Sequence, residues 1–237
     1  MSGAPPRAPE TRLPQGDDKQ RAVEAMFDRI APRYDRLNRI ISLGQDRRWR
    51  RHTVAALRLA PGGTVLDLGC GTGDLCNVVA AAGYSAIGVD FSAGMLAAAH
   101  TRAPLARADA LALPVADTSA DGVVSGFALR NFVDLDRFLR ECARVLRPGG
   151  RFAALETGEP ASPLLRAGHN LWFRRVVPLV GSTLADDAEA YQYLPRSTAY
   201  LPSPAELLAL VDAAGFDAVE RRTFTAGAVQ LIMGTRR

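Results

Sequence analysis

Between Gln20 and Ile30 the apolar positions Val23, Met26, Phe27 and Ile30 recur at three and four, the period of an amphipathic helix. Pro32 interrupts the pattern, and a second helix is predicted from about Asp46 to Leu57, carrying Trp49. From Val65 the pattern changes. Val65-Leu66-Asp67-Leu68 is a short, mostly apolar run suited to a buried parallel strand. Glycines break it, and a helical pattern resumes from Leu75 to Ala82. The alternation continues with a strand over 85–90, a helix from Ser92 to about Arg102, a weak strand over 105–110 and a strand over 121–127. Leu135, Phe138, Leu139, Cys142, Val145 and Leu146 form a helical stripe read as core, stopped by Arg147-Pro148-Gly149-Gly150. A fifth strand over 151–156 follows, then a helix over 204–214 and two strands over 218–225 and 228–234, joined through Ala226-Gly227. Strand–helix alternation predicts an α/β fold, a doubly wound and mostly parallel seven-stranded sheet ending in a hairpin. The rhythm fails over 157–203, which carries Leu171-Trp172-Phe173 and Tyr191-Gln192-Tyr193-Leu194. Such an insert suits covering an apolar substrate, structural packing or a dimer face.

The break after the first strand carries the chemistry. Gly69, Gly71 and Gly73 alternate with other residues, so the backbone turns sharply and a ligand approaches it with no Cβ in the way. A dinucleotide fold uses G-x-G-x-x-G, but the sixth position here is Asp74. A carboxylate at a helix start repels a pyrophosphate, and the Gly-Lys-Ser/Thr of a phosphate loop is absent. An NAD-dependent oxidoreductase of the same fold is therefore the runner-up. Asp67-x-Gly69-x-Gly71-x-Gly73 instead resembles the first motif of class I S-adenosylmethionine-dependent methyltransferases, whose cofactor carries a sulfonium and an ammonium and no phosphate. Asp90 ends the second strand, where a carboxylate accepts hydrogen bonds from ribose hydroxyls; the bland reading is a helix cap. Asp109 ends the weak third strand, beside Ala110, where polar and backbone groups are expected to read an adenine edge; the bland reading is a turn aspartate.

Composition narrows the setting. The chain has 237 residues, 48% of them hydrophobic, and a formal charge of +4, compatible with one α/β domain. Lys19 is the only lysine, so the basic character is arginine throughout and does not point to nucleic acid. Arg47-Arg48-Trp49-Arg50-Arg51 is a dense basic patch around an aromatic, read as a solvated helix face or as a contact for an anionic membrane surface. Cys70, Cys76 and Cys142 contain no C-x-x-C pair, which fits a reduced, cytoplasmic setting. No run approaches the ~20 apolar residues needed to span a bilayer. Residues 1–20 lack the apolar centre of a secretory signal and are expected to be a disordered tail. Residues 21–237 then form a single domain, with N-terminal helices over 21–60. His52, His100 and His169 receive no role, and no metal is expected.

Further stretches narrow the resemblance. Tyr34-Asp35-Arg36-Leu37-Asn38 with Ser42 and Trp49, Phe127-Ala128-Leu129-Arg130-Asn131, Arg144 to Gly150, Ala185 to Leu194 and Thr225 to Val229 resemble the demethylmenaquinone and ubiquinone-pathway C-methyltransferases. That family usually has a histidine where Asp46 stands, and Glu-x-Ser where Glu156-Thr157-Gly158 stands. The resemblance implies a Rossmann-like class I fold and carbon methylation of demethylmenaquinol, in menaquinone biosynthesis. It implies cofactor binding at Asp67, Gly69, Gly71, Thr72, Gly73, Asp90, Asp109, Ala110 and Ser125. The chemistry it implies needs a group that holds the quinol oxyanion, for which Arg130 is the choice, directly or through an ordered water, with Asn131 orienting the same water or hydroxyl and Tyr34 closing over the sulfonium. The alternative for Arg130 is an ion pair with Asp134. The implied partners are a polyprenylated quinol, the inner face of a membrane and a second copy of the chain. A secondary-metabolite phenol or quinol as substrate, and a catalytically silent cofactor-binding module, stay open.

Overall fold

The computed structural model describes residues 14–160, 162–171 and 196–237. Three helices come first: α1 Gly16–Ile30, α2 Tyr34–Ile41 and α3 Asp46–Ala55. Then follow β1 Thr64–Leu68, α4 Asp74–Ala81, β2 Ser85–Asp90, α5 Ala93–Ala97, β3 Leu105–Arg107, β4 Ala120–Gly126, α6 Leu135–Val145 and β5 Leu146–Thr157. The remaining elements are α7 Pro163–Leu171, α8 Pro204–Ala213, β6 Phe216–Phe224 and β7 Val229–Arg236. The strands form one sheet in the order β3-β2-β1-β4-β5-β7-β6, parallel except for β7, which runs antiparallel to β5 and β6. Because the chain passes from β1 outward to β3 and then returns to β4, a crevice opens beyond the carboxyl ends of β1 and β4.

Successive side chains on a strand face opposite sides, and the core divides accordingly. Leu66, Leu68, Val123, Phe152 and Ala154 pack on one face with Phe138, Leu139 and Phe216. Val65, Val124, Ala153 and Leu155 pack on the other with Leu75, Val79 and Leu231. By that alternation Asp67 points toward the face covered by α4, and Cys76 of α4 meets it with its Sγ 3.2 Å from Oδ2. Three helix starts carry side-chain caps. Ser92 accepts from Met95 N–H, Asp134 from Arg137 N–H, and Ser203 with Glu206 forms a capping box.

Three of the boundaries that differ from the sequence reading bear on the site. First, α1 begins at Gly16, so residues 16–20 belong to the fold. Lys19 is buried, donating from Nζ to the Phe132 carbonyl at 2.8 Å with its ammonium 3.8 Å over the Tyr200 ring. Burial lowers that ammonium to about 8. The expected tail over 1–13 lies outside the described residues. Second, α5 stops at Ala97 rather than near Arg102. The chain leaves the helix so that His100 N–H donates to the Thr72 carbonyl at 3.0 Å. Third, β3 spans three residues, because Asp109 turns to accept from Leu111 N–H. Trp172, Phe173 and the 185–194 stretch also lie outside the described residues.

Candidate functional site

The loop after β1 is shaped by left-handed glycines: φ is +72° at Gly69 and +88° at Gly73. A Cβ on Gly69 would sit 2.7 Å from the Ala128 Cβ, so a side chain there would collide with the loop leaving β4. Gly73 serves packing instead: a Cβ there would meet Thr101, and Gly73 lies on neither wall described below. Gly71 N–H donates to Asp90 Oδ2 at 2.7 Å, and Ser92 N–H donates to Asp90 Oδ1 at 2.9 Å. The end of β2 is thereby bolted to the glycine turn, and Asp90 faces the cavity between them. Burial raises the Asp90 carboxyl above its ordinary range, against the pull of those N–H groups.

That first cavity is floored by Gly69, Gly71, Asp90, Asp109 and Ala110 and roofed by Gln20, Val23, Phe27 and Tyr34. The N-terminal helices therefore cap the site rather than merely cover a sheet edge. Asp109 Oδ2 accepts from Gln20 Nε2 at 3.4 Å, which ties the roof to the floor. A narrow recess continues from it along the glycine turn, walled by Tyr34, Arg50, Asp67, Thr72 and Asp74. Thr72 Oγ1 donates to Asp35 Oδ1 at 2.5 Å. Asp67 is buried, its Oδ1 has no hydrogen-bond partner among the described residues, and burial pushes its carboxyl up to about 7. An unpaired buried acceptor is costly and marks where a ligand donor belongs. A cavity with carboxylates at the end of β2 and just after β3, running into a recess that holds both acidic and basic groups, fits S-adenosylmethionine.

A second cavity of about 380 Å³ adjoins the first. Asn38 and Ile41 of α2 and Ser42 just after it line it, with Asp46 and Trp49 of α3, Arg130, Thr157, Pro160, Leu165 and the 225–229 turn. Tyr34 and Phe127 line both cavities and form the partition. Phe127 holds φ at +61°, a costly conformation for an aromatic; it sets the ring edge-on to Trp49, centroids 6.3 Å apart.

Arg130 lines the second cavity, buried, but its partner is not Asp134, which caps α6. Nη1 pairs with Glu156 Oε1, and Nε donates to Ser197 Oγ at 3.1 Å. The backbone N–H of Arg130 donates to Glu156 Oε2 at 3.2 Å. Asn131 lies on the wall of the first cavity rather than the second. Ser125 is not brought to any wall: its Oγ donates to the Leu68 carbonyl at 2.7 Å and locks β4 to β1. Gly158 is explained by packing, since a Cβ there would lie 2.5 Å from the Gly227 carbonyl oxygen.

Sequence reasoning missed Arg50 and His100. The Arg47–Arg51 patch is split by helix geometry: Trp49 and Arg50 are buried toward the site, while Arg47, Arg48 and Arg51 are exposed. The period of 3.6 was the available signal. His100 Nδ1 lies 3.3 Å from Asp35 and Nε2 3.1 Å from Asp74, fastening α2 to the start of α4. These three side chains bring potential metal ligands within 4.8 Å of one another; here they serve as that fastening.

A model of the ubiE/COQ5 methyltransferase family matches residues 15–236. A demethylmenaquinone methyltransferase from Roseiflexus sp. (strain RS-1) is 44% identical over 234 residues, covering 96% of this chain and 98% of that protein. One from Mycobacterium marinum (strain ATCC BAA-535 / M) is 44% identical over 219 residues, covering 92% and 95%. Among solved structures, a SAM-dependent methyltransferase from Thermotoga maritima shares the fold, with a TM-score of 0.62 at 22% identity over 90% of this chain and 99% of that one.

Proposed function

We infer the function from one premise: the chain belongs to the ubiE/COQ5 methyltransferase family. It is an S-adenosylmethionine-dependent methyltransferase, and its reaction is carbon methylation of a reduced demethylmenaquinol to menaquinol. The observation that carries this reading is the near-full-length likeness to demethylmenaquinone methyltransferases. Two cavities that meet at Tyr34 and Phe127 support it. We assign the ribose to Asp90, the adenine edge to Asp109 and Ala110, and the amino-acid end to Asp67 and the turn Gly69–Thr72. Gly73 and Ser125 stand behind this shell.

When bound, S-adenosylmethionine supplies an electrophilic methyl on sulfur. The quinol must be reduced, because an oxidised quinone carbon is itself electrophilic. Its hydroxyl, with a phenolic pKa near ~10, has to give up its proton as the carbon attacks. We assign Arg130, on the wall of the second cavity, to hold the developing oxyanion; its charge is shared with Glu156, so it acts as a polarised pair. Asn131 acts from the cofactor side of the partition, and Tyr34 closes the sulfonium end. The only carboxylate among the described residues of the second wall is Asp46, held by Ser42 Oγ at 3.0 Å. That carboxylate is the observation favouring the second reading, another phenol or quinol.

Among the described residues no helix is long and apolar enough to cross a membrane. We propose peripheral attachment at the inner face of the membrane, with the polyprenyl tail of the quinol leaving through the mouth of the second cavity. Leu43 and Leu165 line that cavity yet are 68% and 49% exposed, and neighbouring Leu164 is 82% exposed. The segment over 157–203 is assigned as a substrate cover, since Thr157, Pro160 and Leu165 already contribute to the wall.

The test is an assay of purified protein with demethylmenaquinol, a demethoxylated benzoquinol and a simple phenol under reducing conditions. Products are read by mass and by the position of the new methyl. Methyl on the naphthoquinol ring carbon is the expected product. Transfer to oxygen, or to the phenol alone, overturns the reading. Cofactor binding without turnover on any of the three leaves a binding module.

A further inference from the structure

We propose that Arg50 anchors the carboxylate of the methionyl end of S-adenosylmethionine, a contact supplied by the N-terminal helices and absent from the glycine motif. The proposal rests on the cofactor assignment above, not on the identity of the methyl acceptor. Arg50 is 6% exposed and faces the recess along the glycine turn. A guanidinium presents five N–H donors and is always charged, so burying it demands partners. Those the described residues offer are loose. Nη2 lies 3.6 Å from Asp74 Oδ2, and Nε lies 3.9 Å from Asp46 Oδ2. Both exceed hydrogen-bond length, and Nε is a buried donor with no hydrogen-bond partner.

The surroundings hold the group in place without satisfying it. Gly126 leaves room for the fork, since a Cβ there would stand 3.2 Å from Nη1. The Phe127 ring lies 5.9 Å from the guanidinium carbon. The recess thus contains one cation, Arg50, and two carboxylates, Asp67 and Asp74. A methionyl end carries an ammonium and a carboxylate. The orphaned Asp67 Oδ1 takes the ammonium, and the orphaned Arg50 Nε, with its fork, takes the carboxylate. Only arginine offers two parallel donors to a planar anion. The competing account is that Arg50 merely pins α3 to α4 by long-range attraction to Asp46 and Asp74.

Titration calorimetry separates the two accounts. Three ligands are used: S-adenosylmethionine, its decarboxylated form, and 5′-methylthioadenosine, which lacks the whole amino-acid end. Wild-type protein is expected to favour S-adenosylmethionine over the decarboxylated form by roughly 10- to 100-fold, the scale of hydrogen bonds to charged groups. Arg50→Gln should lose that discrimination while binding methylthioadenosine as wild type does, which also shows that it folds. Arg50→Lys should keep only part of it. Equal weakening of both amino-acid ligands by Arg50→Gln overturns the proposal, as does a wild type that does not discriminate. Should Arg50→Gln fail to bind methylthioadenosine, Arg50→Lys carries the comparison, and undiminished discrimination by it overturns the bidentate contact. A wild type that binds none of the three sinks the cofactor reading and this proposal together. No quinol is present, so an error in the methyl acceptor leaves the result intact.

Discussion

Asp67 keeps a buried carboxyl oxygen without a hydrogen-bond partner among the described residues, and burial holds the group near 7 against a usual 3.8. The sign of the consequence follows from linkage. Between those two values the folded state binds a proton that the unfolded chain has released. The ligand-free protein therefore loses this stability as pH rises from about 4 to about 7. An ammonium at Oδ1 favours the charged carboxylate, so cofactor binding near neutrality should release a proton. Affinity for S-adenosylmethionine is expected to rise as pH climbs from about 5 to about 7, below the range in which the cofactor's own amino group deprotonates, and calorimetry in two buffers of different ionisation enthalpy should register the proton. Asp67→Asn should flatten both trends; a wild type with no pH dependence over that range would remove Asp67 from the ammonium site. Asp67 and Asp90 could be singled out in the sequence because each sits a fixed step from a strand end. Arg50 was not, because five consecutive residues look like one patch until a helix sorts them onto different faces.

The exit of β4 is where local rules are broken for the site. Phe127 takes a left-handed conformation, the chain makes one tight turn over Leu129–Asn131, and Arg130 clasps Glu156 at the end of β5. The sequence reading singled out Arg130 but not its partner, which comes from 26 positions along the chain. Removing one member of a buried pair strands the other, at a cost of about 3–5 kcal/mol. Arg130→Ala is thus expected to lower the denaturation midpoint sharply as well as lower kcat by roughly 10²–10³, the scale of a lost oxyanion donor, with cofactor affinity nearly unchanged. The double variant Arg130→Met with Glu156→Gln should recover most of the stability and none of the turnover. Recovery of turnover would reduce Arg130 to a structural clasp.

Across the molecule, both cavities open at the carboxyl edge of the parallel strands, and the N-terminal helices build the outer walls. The apolar mouth formed by Leu43 and Leu165, with exposed Arg47, Arg48 and Arg51 on α3, relocates the proposed membrane contact. Trp49 takes no part, being buried against Phe127. In liposome flotation the protein should rise with anionic vesicles at low salt and less at high salt, since exposed charge pairs are screened. Leu164→Ser with Leu165→Ser should weaken what persists at high salt. Protein that ignores anionic vesicles in both conditions has no such surface.

Period and spacing were enough for the sheet, the helices between its strands, the glycine turn and the acidic residues at strand ends, because each of these is a relation between residues close in the chain; they were not enough for α2 or α7. Hydrophobic alternation decides which face of a strand is buried, and a strand followed by glycines decides where a ligand meets backbone. Tertiary packing alone decided the rest. It paired Arg130 with Glu156, sent Ser125 to the Leu68 carbonyl, placed Asn131 on the cofactor side, and turned Arg50 inward to an incomplete set of partners. Those outcomes depend on which side chain from a distant element arrives within hydrogen-bond reach, and distance in space is not a property of a local pattern.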